Sequence, residues 1–331
     1  MKDTSILVTG GAGYIGSHVA LQLRARGERV VVLDDLSRGF RQAVLDAPLV
    51  VGAVVDRNTV LQVLSEHRVD TVMHFAAYTI VPESVSEPLK YYGNNTCSTR
   101  SLLACCLETG VKHFVFSSSA AVYGTPAGGV AAEDTPTVPI NPYGTSKLMS
   151  EWMLRDVSAA CALKHVALRY FNVAGSDSQG RVGQATPKAT LLVKVACEHV
   201  VGKRPEVLIY GTDYETPDGT GVRDYIHVED LATAHLDALD YLREGGASTV
   251  LNVGYGHGYS VREVLESVAR ISGKRLTVRE MPRRPGDPPA LVAQADRIRR
   301  ELGWTPRLDD LDTIVRTALD WEQRLQRTPW S

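Results

Sequence analysis

Tyr143 and Lys147 stand four residues apart in the run Asn141-Pro142-Tyr143-Gly144-Thr145-Ser146-Lys147. Four residues is about one helical turn, so on a helix both side chains share a face. An ammonium beside a phenol favours the phenolate and lowers the tyrosine pKa from about 10 toward working pH. A second feature, Ser117-Ser118-Ser119, closes an apolar run that reads as a strand. A hydroxyl there can relay a proton or hold a substrate oxygen. Tyr143, Lys147 and Ser119 could together take a proton from an alcohol while a second group takes the hydride. Alone, a Tyr and a Lys four apart describe an ordinary surface pair; their surroundings decide.

Those surroundings begin at Ile6-Leu7-Val8-Thr9-Gly10-Gly11-Ala12-Gly13-Tyr14-Ile15-Gly16. A strand-like run ends in glycines spaced three apart, and a helical pattern follows. Gly10 lets the strand turn, Gly13 leaves the backbone open to a phosphate, and Gly16 lets the helix approach the sheet. The first helical amides then form a seat for an anion. A glycine triplet by itself also fits a plain tight turn. Here the next strand, Arg29–Leu33, ends in Asp34 and Asp35, with Asp34 18 residues beyond Gly16. An acid at that distance can meet an adenosine ribose. The pattern predicts NAD in preference to NADP, a choice that nearby Arg38 and Arg41 leave open.

The elements that would position these groups follow from periodicity. Candidate strands are Ser5–Thr9, Arg29–Leu33, Leu49–Gly52, Thr71–Ala76, Lys112–Ser118 and His165–Tyr170, and helical spacing marks Thr59–His67 and Leu89–Thr109. Such alternation predicts an α/β fold with a Rossmann-like, doubly wound parallel sheet. Ligands of such sheets sit at strand carboxyl ends, which singles out Gly10, Asp34, Phe75-Ala76-Ala77, Ser117–Ser119 and Tyr170-Phe171-Asn172. After Asn172 the rhythm changes: a loop at Val173–Gln184, a helix near Lys188–Val201, a strand at Val207–Tyr210 and a polar loop at Thr212–Gly221. Asp230–Arg243 and Thr249–Val253 read as a helix–strand pair returning to the main sheet. The tail adds a helix at Val261–Ile271, a strand near Leu276–Arg279, the turn Pro282–Pro289, and a closing helix striped by Leu308, Leu311, Ile314, Val315, Ala318 and Leu319. The expected division is an NAD-binding domain over 1–172 and about 225–257. A smaller interleaved α/β substrate-binding lobe would cover about 173–224 and 258–331.

Bulk properties exclude other classes. With 331 residues the chain can bury a large core, and its net charge of −2 argues against a nucleic-acid or polybasic membrane surface as partner. Cys97, Cys105, Cys106, Cys161 and Cys197 lack metal-type spacing and read as buried cytosolic thiols. No His pair has the spacing of a helical zinc site, so no metal is expected. No apolar run reaches bilayer length and no signal peptide opens the chain, so a cytoplasmic protein is expected. His74, within a strand end, reads as a core histidine.

The glycine loop, Ser117–Gly124, Tyr143 with Lys147, and Gly219-Thr220-Gly221-Val222-Arg223-Asp224-Tyr225-Ile226-His227-Val228 resemble the extended short-chain dehydrogenase/reductases, above all their UDP-glucose 4-epimerase group. The likeness runs nearly the whole length, and Gly219–Val228 is its most specific part. The resemblance implies a tightly held NAD, with Tyr143 as base, Lys147 holding the nicotinamide ribose, and Ser119 on the sugar 4-oxygen. It implies cofactor contacts from Tyr14, Ile15 and Asn94, and packing of Val54 on adenine. For a UDP-hexose substrate it implies Asn172 near the sugar nucleotide, Tyr210 beside uracil, Arg223 and Arg284 on the diphosphate, and Asp287 on a ribose. It also implies a homodimer joined through helices near Leu89–Thr109 and Tyr143–Ala160.

Within this superfamily, sugar dehydratases carry Asp-Glu after the residue matching Ser119, and related decarboxylases carry a Glu there. This chain has Ala120-Ala121, and alanine moves no proton. The reaction implied is reversible 4-epimerisation of UDP-galactose and UDP-glucose through a 4-keto sugar. UDP-N-acetylhexosamine or UDP-pentose epimerisation, a net dehydrogenase and a non-catalytic NAD-binding protein are the alternatives. Departures from the group's pattern are Ala53 where an acid is frequent, Thr79 where a lysine is frequent, and Thr190-Leu191 where an amide is expected. Leu291 stands where side-chain size governs room for an N-acetyl group.

Overall fold

The computed structural model describes residues 4–330. Seven of the described strands form one parallel sheet: β1 (Ser5–Thr9), β2 (Val30–Asp34), β3 (Leu49–Val51), β4 (Val69–His74), β5 (His113–Ser117), β7 (Lys164–Tyr170) and β12 (Thr249–Val253). Their order across the sheet is β12-β7-β5-β4-β1-β2-β3. The order reverses direction between β1 and β4, which is where such sheets bind ligands. The α/β, doubly wound architecture expected from the alternation is therefore present.

Strand residues alternate between two cores because the side-chain period is two. Ile6, Val8, Val30, Val32 and Met73 pack toward α1 (Tyr14–Ala25) and α8 (Val228–Arg243). Leu7, Val31, Leu33, Val72 and Phe114 pack toward α2 (Arg57–Glu66) and α5 (Ser98–Thr109). The first core continues into α7 (Leu192–Val200), α9 (Val261–Ser272), α10 (Asp296–Leu302) and α11 (Leu311–Arg327), so the later elements share it.

Short strands join the later part to the earlier. A four-stranded sheet runs β13 (Tyr259–Ser260), β10 (Val222–Arg223), β15 (Ala290–Ala293) and β6 (Val130–Ala131). Two further parallel pairs are β8 (Asn172–Ala174) with β11 (Tyr225–His227), and β9 (Val207–Tyr210) with β14 (Val278–Met281). The loop expected from Val173 thus starts as a strand, held by a partner more than 50 residues away in sequence. The helix expected from Lys188 begins at Leu192, since Lys188 has φ +55° and cannot belong to a right-handed helix. The strand expected near Leu276 lies at Val278–Met281, in register with β9.

The single helix expected over Leu89–Thr109 is a composite. After α3 (Val81–Ser86), α4 (Pro88–Tyr91) leads into a π-helical turn at Tyr92–Cys97 and then α5. Such wide turns recur at functional sites. This one buries Asn95, whose amide bonds the backbone of Tyr78 and the Ser146 hydroxyl. It also turns Cys97 outward, and Cys161 is exposed at the end of α6 (Pro142–Ala160), so two of the five thiols are not buried. Among the described residues no helix is long and apolar enough to cross a membrane, and no cluster of His, Cys, Asp or Glu could hold a metal.

Candidate active site

The glycine loop meets the end of β4. Gly10 has φ +70°, and a Cβ there would lie 2.6 Å from the Ala76 amide nitrogen. At Gly16 a Cβ would lie 2.4 Å from the Gly10 carbonyl oxygen. Gly13 differs: its Cβ would meet only that carbonyl, at 3.2 Å, so the missing side chain there leaves open space instead of a protein contact. Gly13 caps α1 without a side-chain hydrogen bond, and the first turn carries no acid. An uncapped helix start above a bare glycine fits a diphosphate. The residues present therefore fit a dinucleotide.

Asp34 ends β2 and accepts the Ala12 and Leu36 amides at 3.0 and 2.9 Å, with burial raising its carboxyl pKa. Asp35 is exposed and turned to Ser37, so the two acids have different surroundings. Arg38 is drawn toward Glu83 at 3.7 Å and over the Tyr78 ring. Val54 is buried in the core that faces α2 and α5, while Phe75, Ala76 and Ala77 are half-buried where β4 ends. Ile15 packs on the core that faces α1 and α8, and the Tyr14 hydroxyl donates to the Gly175 carbonyl at 2.7 Å. Asn94 is half-buried on the π turn beside Asn95.

The three serines at the end of β5 have separate partners. Ser117 shares a 2.6 Å hydrogen bond with the Tyr170 hydroxyl, and its carbonyl accepts from Lys147 Nζ at 2.8 Å. Ser118 donates to Glu151. Ser119 lies past the strand and caps a short 3-10 turn, Ala120–Tyr123, by accepting the Ala121 amide. On α6, Asn141 caps the Gly144 amide at 2.9 Å, and Pro142 occupies the first turn, where its missing N–H costs nothing. Tyr143 and Lys147 are both buried on one face of this helix.

Burial raises the Tyr143 phenol above its ordinary value, and a hydrogen bond with Ser119 opposes it. The expected lowering by Lys147 is not what acts on the phenol. The ammonium is turned to the Ser117 carbonyl and the Phe116 ring face, 5.0 Å away. Lys147 itself is pushed down to about 7 by burial, with Glu151 opposing the fall. His74 has both ring nitrogens engaged, by Thr9 and Thr99, and burial followed by Lys147 lowers it to about 3.

A second cluster gathers around β9 and β10. The Arg284 guanidinium lies 4.5 Å over the Tyr210 ring and donates to Asp287 at 2.9 Å. Arg223 donates to the Val222 and Pro288 carbonyls at 2.8 and 2.7 Å, and burial lowers its pKa. Asn172, half-buried on β8, joins the cluster through its backbone N–H, which donates to the Asp224 carbonyl at 2.9 Å. The loop after Arg284 crosses toward the first cluster: a Cβ at Gly286 would lie 3.9 Å from Asn141 Cβ. The Tyr143 and Arg284 groups, over 100 residues apart in sequence, are thus brought to neighbouring loops. Leu291 is buried on β15 directly opposite Arg223.

Sequence reasoning missed Asn95, Glu151, Tyr214 and Arg283. Arg283 lies 4.3 Å over the Tyr214 ring, and the buried Tyr214 hydroxyl has no hydrogen-bond partner among the described residues. Glu151 carried a signal, since it repeats the four-residue spacing of Tyr143 and Lys147. Tyr214 and Arg283 carried none, lying within stretches read as a polar loop and a turn.

The sequence family described as the NAD dependent epimerase/dehydratase family matches residues 6–254. The chain is 57% identical to a UDP-glucose 4-epimerase of Azospirillum brasilense, over 98% of this chain and 93% of that one. A UDP-glucose 4-epimerase from Brucella ovis, solved in complex with NAD, superposes with a TM-score of 0.93 at 44% identity, covering 96% of this chain and 98% of that one. The UDP-Glc/GlcNAc 4-epimerase of Campylobacter jejuni gives a TM-score of 0.85 at 48% identity, covering 97% and 99%. With the glycine cradle, the acid at the end of β2 and the buried Tyr143–Lys147 face all in one sheet crevice, the chain belongs to the NAD dependent epimerase/dehydratase family.

Proposed function

We propose that the chain catalyses reversible, NAD-dependent 4-epimerisation of UDP-galactose and UDP-glucose through a transient 4-keto sugar. What carries the reading is a buried phenol and a buried ammonium on one helix face, followed from the serine turn by two alanines. Tyr143 takes the proton of the sugar 4-hydroxyl and later returns it, and Ser119 holds the same oxygen. Lys147 contributes its charge and grips the nicotinamide ribose. NAD, when bound, supplies the acceptor and donor of the C4 hydride. Gly10, Gly13, Tyr14, Ile15, Gly16, Asp34, Asp35, Val54, Phe75, Ala76, Ala77, Asn94, Ser117 and Tyr170 are its proposed contacts.

Asn172, Tyr210, Arg223, Arg284 and Asp287 are the proposed hold on the UDP portion. Planar guanidinium forks suit phosphate oxygens. Ala120 and Ala121 supply neither acid nor base, so elimination and decarboxylation have no catalyst on this turn. The division into a cofactor domain over 1–172 and about 225–257, and a UDP-sugar lobe over about 173–224 and 258–331, belongs to this reading. So do a cytoplasmic role in galactose metabolism, a homodimer, and the exclusion of nucleic acid and membrane as partners.

A second reading, action on UDP-N-acetylhexosamines as well, is favoured by the likeness to the Campylobacter jejuni enzyme. Incubating the purified protein with UDP-galactose, UDP-glucose, their N-acetylated forms and a UDP-pentose, and following products by NMR, separates these. UDP-galactose is expected to give UDP-glucose with no growth of reduced-nicotinamide absorbance in excess NAD. No UDP-glucose from UDP-galactose would refute the first reading.

A further inference from the structure

Tyr143, Lys147 and Glu151 repeat at intervals of four on α6, so one buried helix face carries all three. Glu151 accepts from Arg169 of β7 at two atoms, Nε at 3.0 Å and Nη2 at 2.6 Å. The side chains of this pair are 4% and 7% exposed, so the charges lie almost wholly out of water. The Glu151 carboxylate also accepts from Ser118, the residue between Ser117, which holds Lys147, and Ser119, which faces Tyr143. Arg169 extends the network, donating to the Tyr123 hydroxyl at 3.0 Å with its guanidinium over that ring. Tyr123 closes the turn that Ser119 opens, and its hydroxyl donates to Asn252 at 2.6 Å. One ion pair therefore grips the chain on both sides of Ser119.

We propose that Glu151 is a positioning residue for the reaction: anchored by Arg169 and Ser118, it sets a fixed negative charge one helical turn beyond Lys147 and holds the serine turn against which Tyr143 and Lys147 work. The inference rests on the roles given to Tyr143 and Lys147 above. Other groups facing this region are His74 from β4, Tyr170 from β7, the Phe116 ring from β5 and Tyr91 from α4, which stands edge-on to Tyr143. His74 is neutral at working pH, since burial lowers it to about 3. Tyr170 stays a neutral phenol because burial raises it, and burial first also raises Tyr91. Arg169 is charged and bound to Glu151, Glu133 acts on Tyr123, and the Tyr91 hydroxyl donates to Glu83, which is itself paired with Lys90. Glu151 is accordingly the group that opposes the loss of the Lys147 proton on burial.

The test is the pH dependence of kcat/KM for UDP-galactose in the wild type, Glu151→Gln and Glu151→Asp, with bound NAD and thermal melting measured on each. Glu151→Gln keeps the shape and removes the charge. Its alkaline limb, where Lys147 loses its proton, is expected to move down by about one pH unit, with kcat falling more than KM rises. Glu151→Asp should restore the limb. A folded, NAD-loaded Glu151→Gln whose limb superposes on the wild type overturns the proposal. If that variant does not fold, Glu151→Gln/Arg169→Gln removes both charges together and should shift the limb in the same direction by less, since Glu151 is the nearer charge on α6; an unshifted limb overturns the proposal. If neither folds, Ser118→Ala loses one hydrogen bond and no charge. Its kcat should fall several-fold at constant KM, and an unchanged kcat overturns the proposal. Tyr143→Phe in the same buffers separates the two levels. Retained turnover there sinks the site assignment, whereas a dead Tyr143→Phe beside an unshifted Glu151→Gln sinks only the role of Glu151.

Discussion

Burial works on Tyr143 and Lys147 in the same sense, disfavouring the charged form of each. The phenol is raised from its ordinary value while the ammonium is lowered to about 7, so the two move apart and burial by itself keeps the phenol protonated. Ser119 helps by hydrogen bonding to the phenol, which opposes the rise. Tyr143→Phe removes the hydroxyl and keeps a ring that stands edge-on to Tyr91. Turnover is expected to fall by about 10²–10⁴-fold, the usual contribution of a general acid–base group. Melting temperature and NAD content after purification should remain as in the wild type. Steady-state kinetics with a melt on the same sample checks both, and unchanged turnover removes Tyr143 from its role.

At the scale of elements, the glycine loop makes the sharpest contrast. Gly16 lies where α1 presses on the loop, and a Cβ would come within 3.0 Å of Gly10 and Gly11 backbone atoms. Backbone cannot step aside as a flexible side chain can. Gly16→Ala is therefore expected to destabilise by about 1–3 kcal/mol, the range for overpacking, and to lose NAD as a consequence. Gly13 has no such neighbour beyond the Gly10 carbonyl at 3.2 Å. Gly13→Val should melt close to the NAD-free wild type and still purify without NAD, because its side chain fills the space left for phosphate. Thermal melts paired with nucleotide released on denaturation distinguish the two; full NAD content in Gly13→Val would contradict the cradle.

The whole molecule adds two expectations. Leu89 is 81% exposed and Trp152 47%, with Val85 and Met149 also uncovered on α3, α4 and α6, which pack side by side. An apolar patch of this kind marks an interaction surface, and Leu89, Met149 and Trp152 lie on the helices proposed to join two subunits, with Val85 beside them on α3. Light scattering should give a dimer mass for the wild type and a monomer for Trp152→Glu; a monomeric wild type would overturn the homodimer.

The second expectation concerns acid. Burial holds His18, His165 and His235 down at about 4, and His74 and His227 at about 3. Unfolded, each titrates near 6.5, so below that pH the unfolded chain binds more protons. Stability is full above about pH 6.5 and falls as pH drops toward 4, by up to about 1.4 kcal/mol per pH unit for each such histidine. Asp34, Asp224, Glu229 and Asp237, raised by burial, act the other way nearer their own range. The loss should therefore set in near about pH 6.5 and steepen as pH falls toward 4, with the raised carboxyls opposing it at the acid end. Thermal melts across that interval check it, and a flat profile would mean the histidines are not held neutral.

Features that depend on neighbours along the chain are legible in the order of residues alone. Strand periodicity marked the seven strands of the main sheet to within a few residues at each end, and glycine spacing marked the start of α1. The interval from Tyr143 to Lys147 put them on one helix face, because a helix turns in under four residues. Tertiary structure decided what distant residues do to one another. Asn172–Ala174 is a strand because Tyr225–His227 pairs with it, and Lys147 faces Ser117 because α6 lies across the end of β5. The Tyr143 phenol is raised, against the expectation from its lysine neighbour, because desolvation depends on everything packed around it. For the same reason Glu151 was readable only as a third beat on a helix face. Its partners Arg169 and Ser118 lie 18 and 33 residues away in sequence, and no local pattern encodes that meeting.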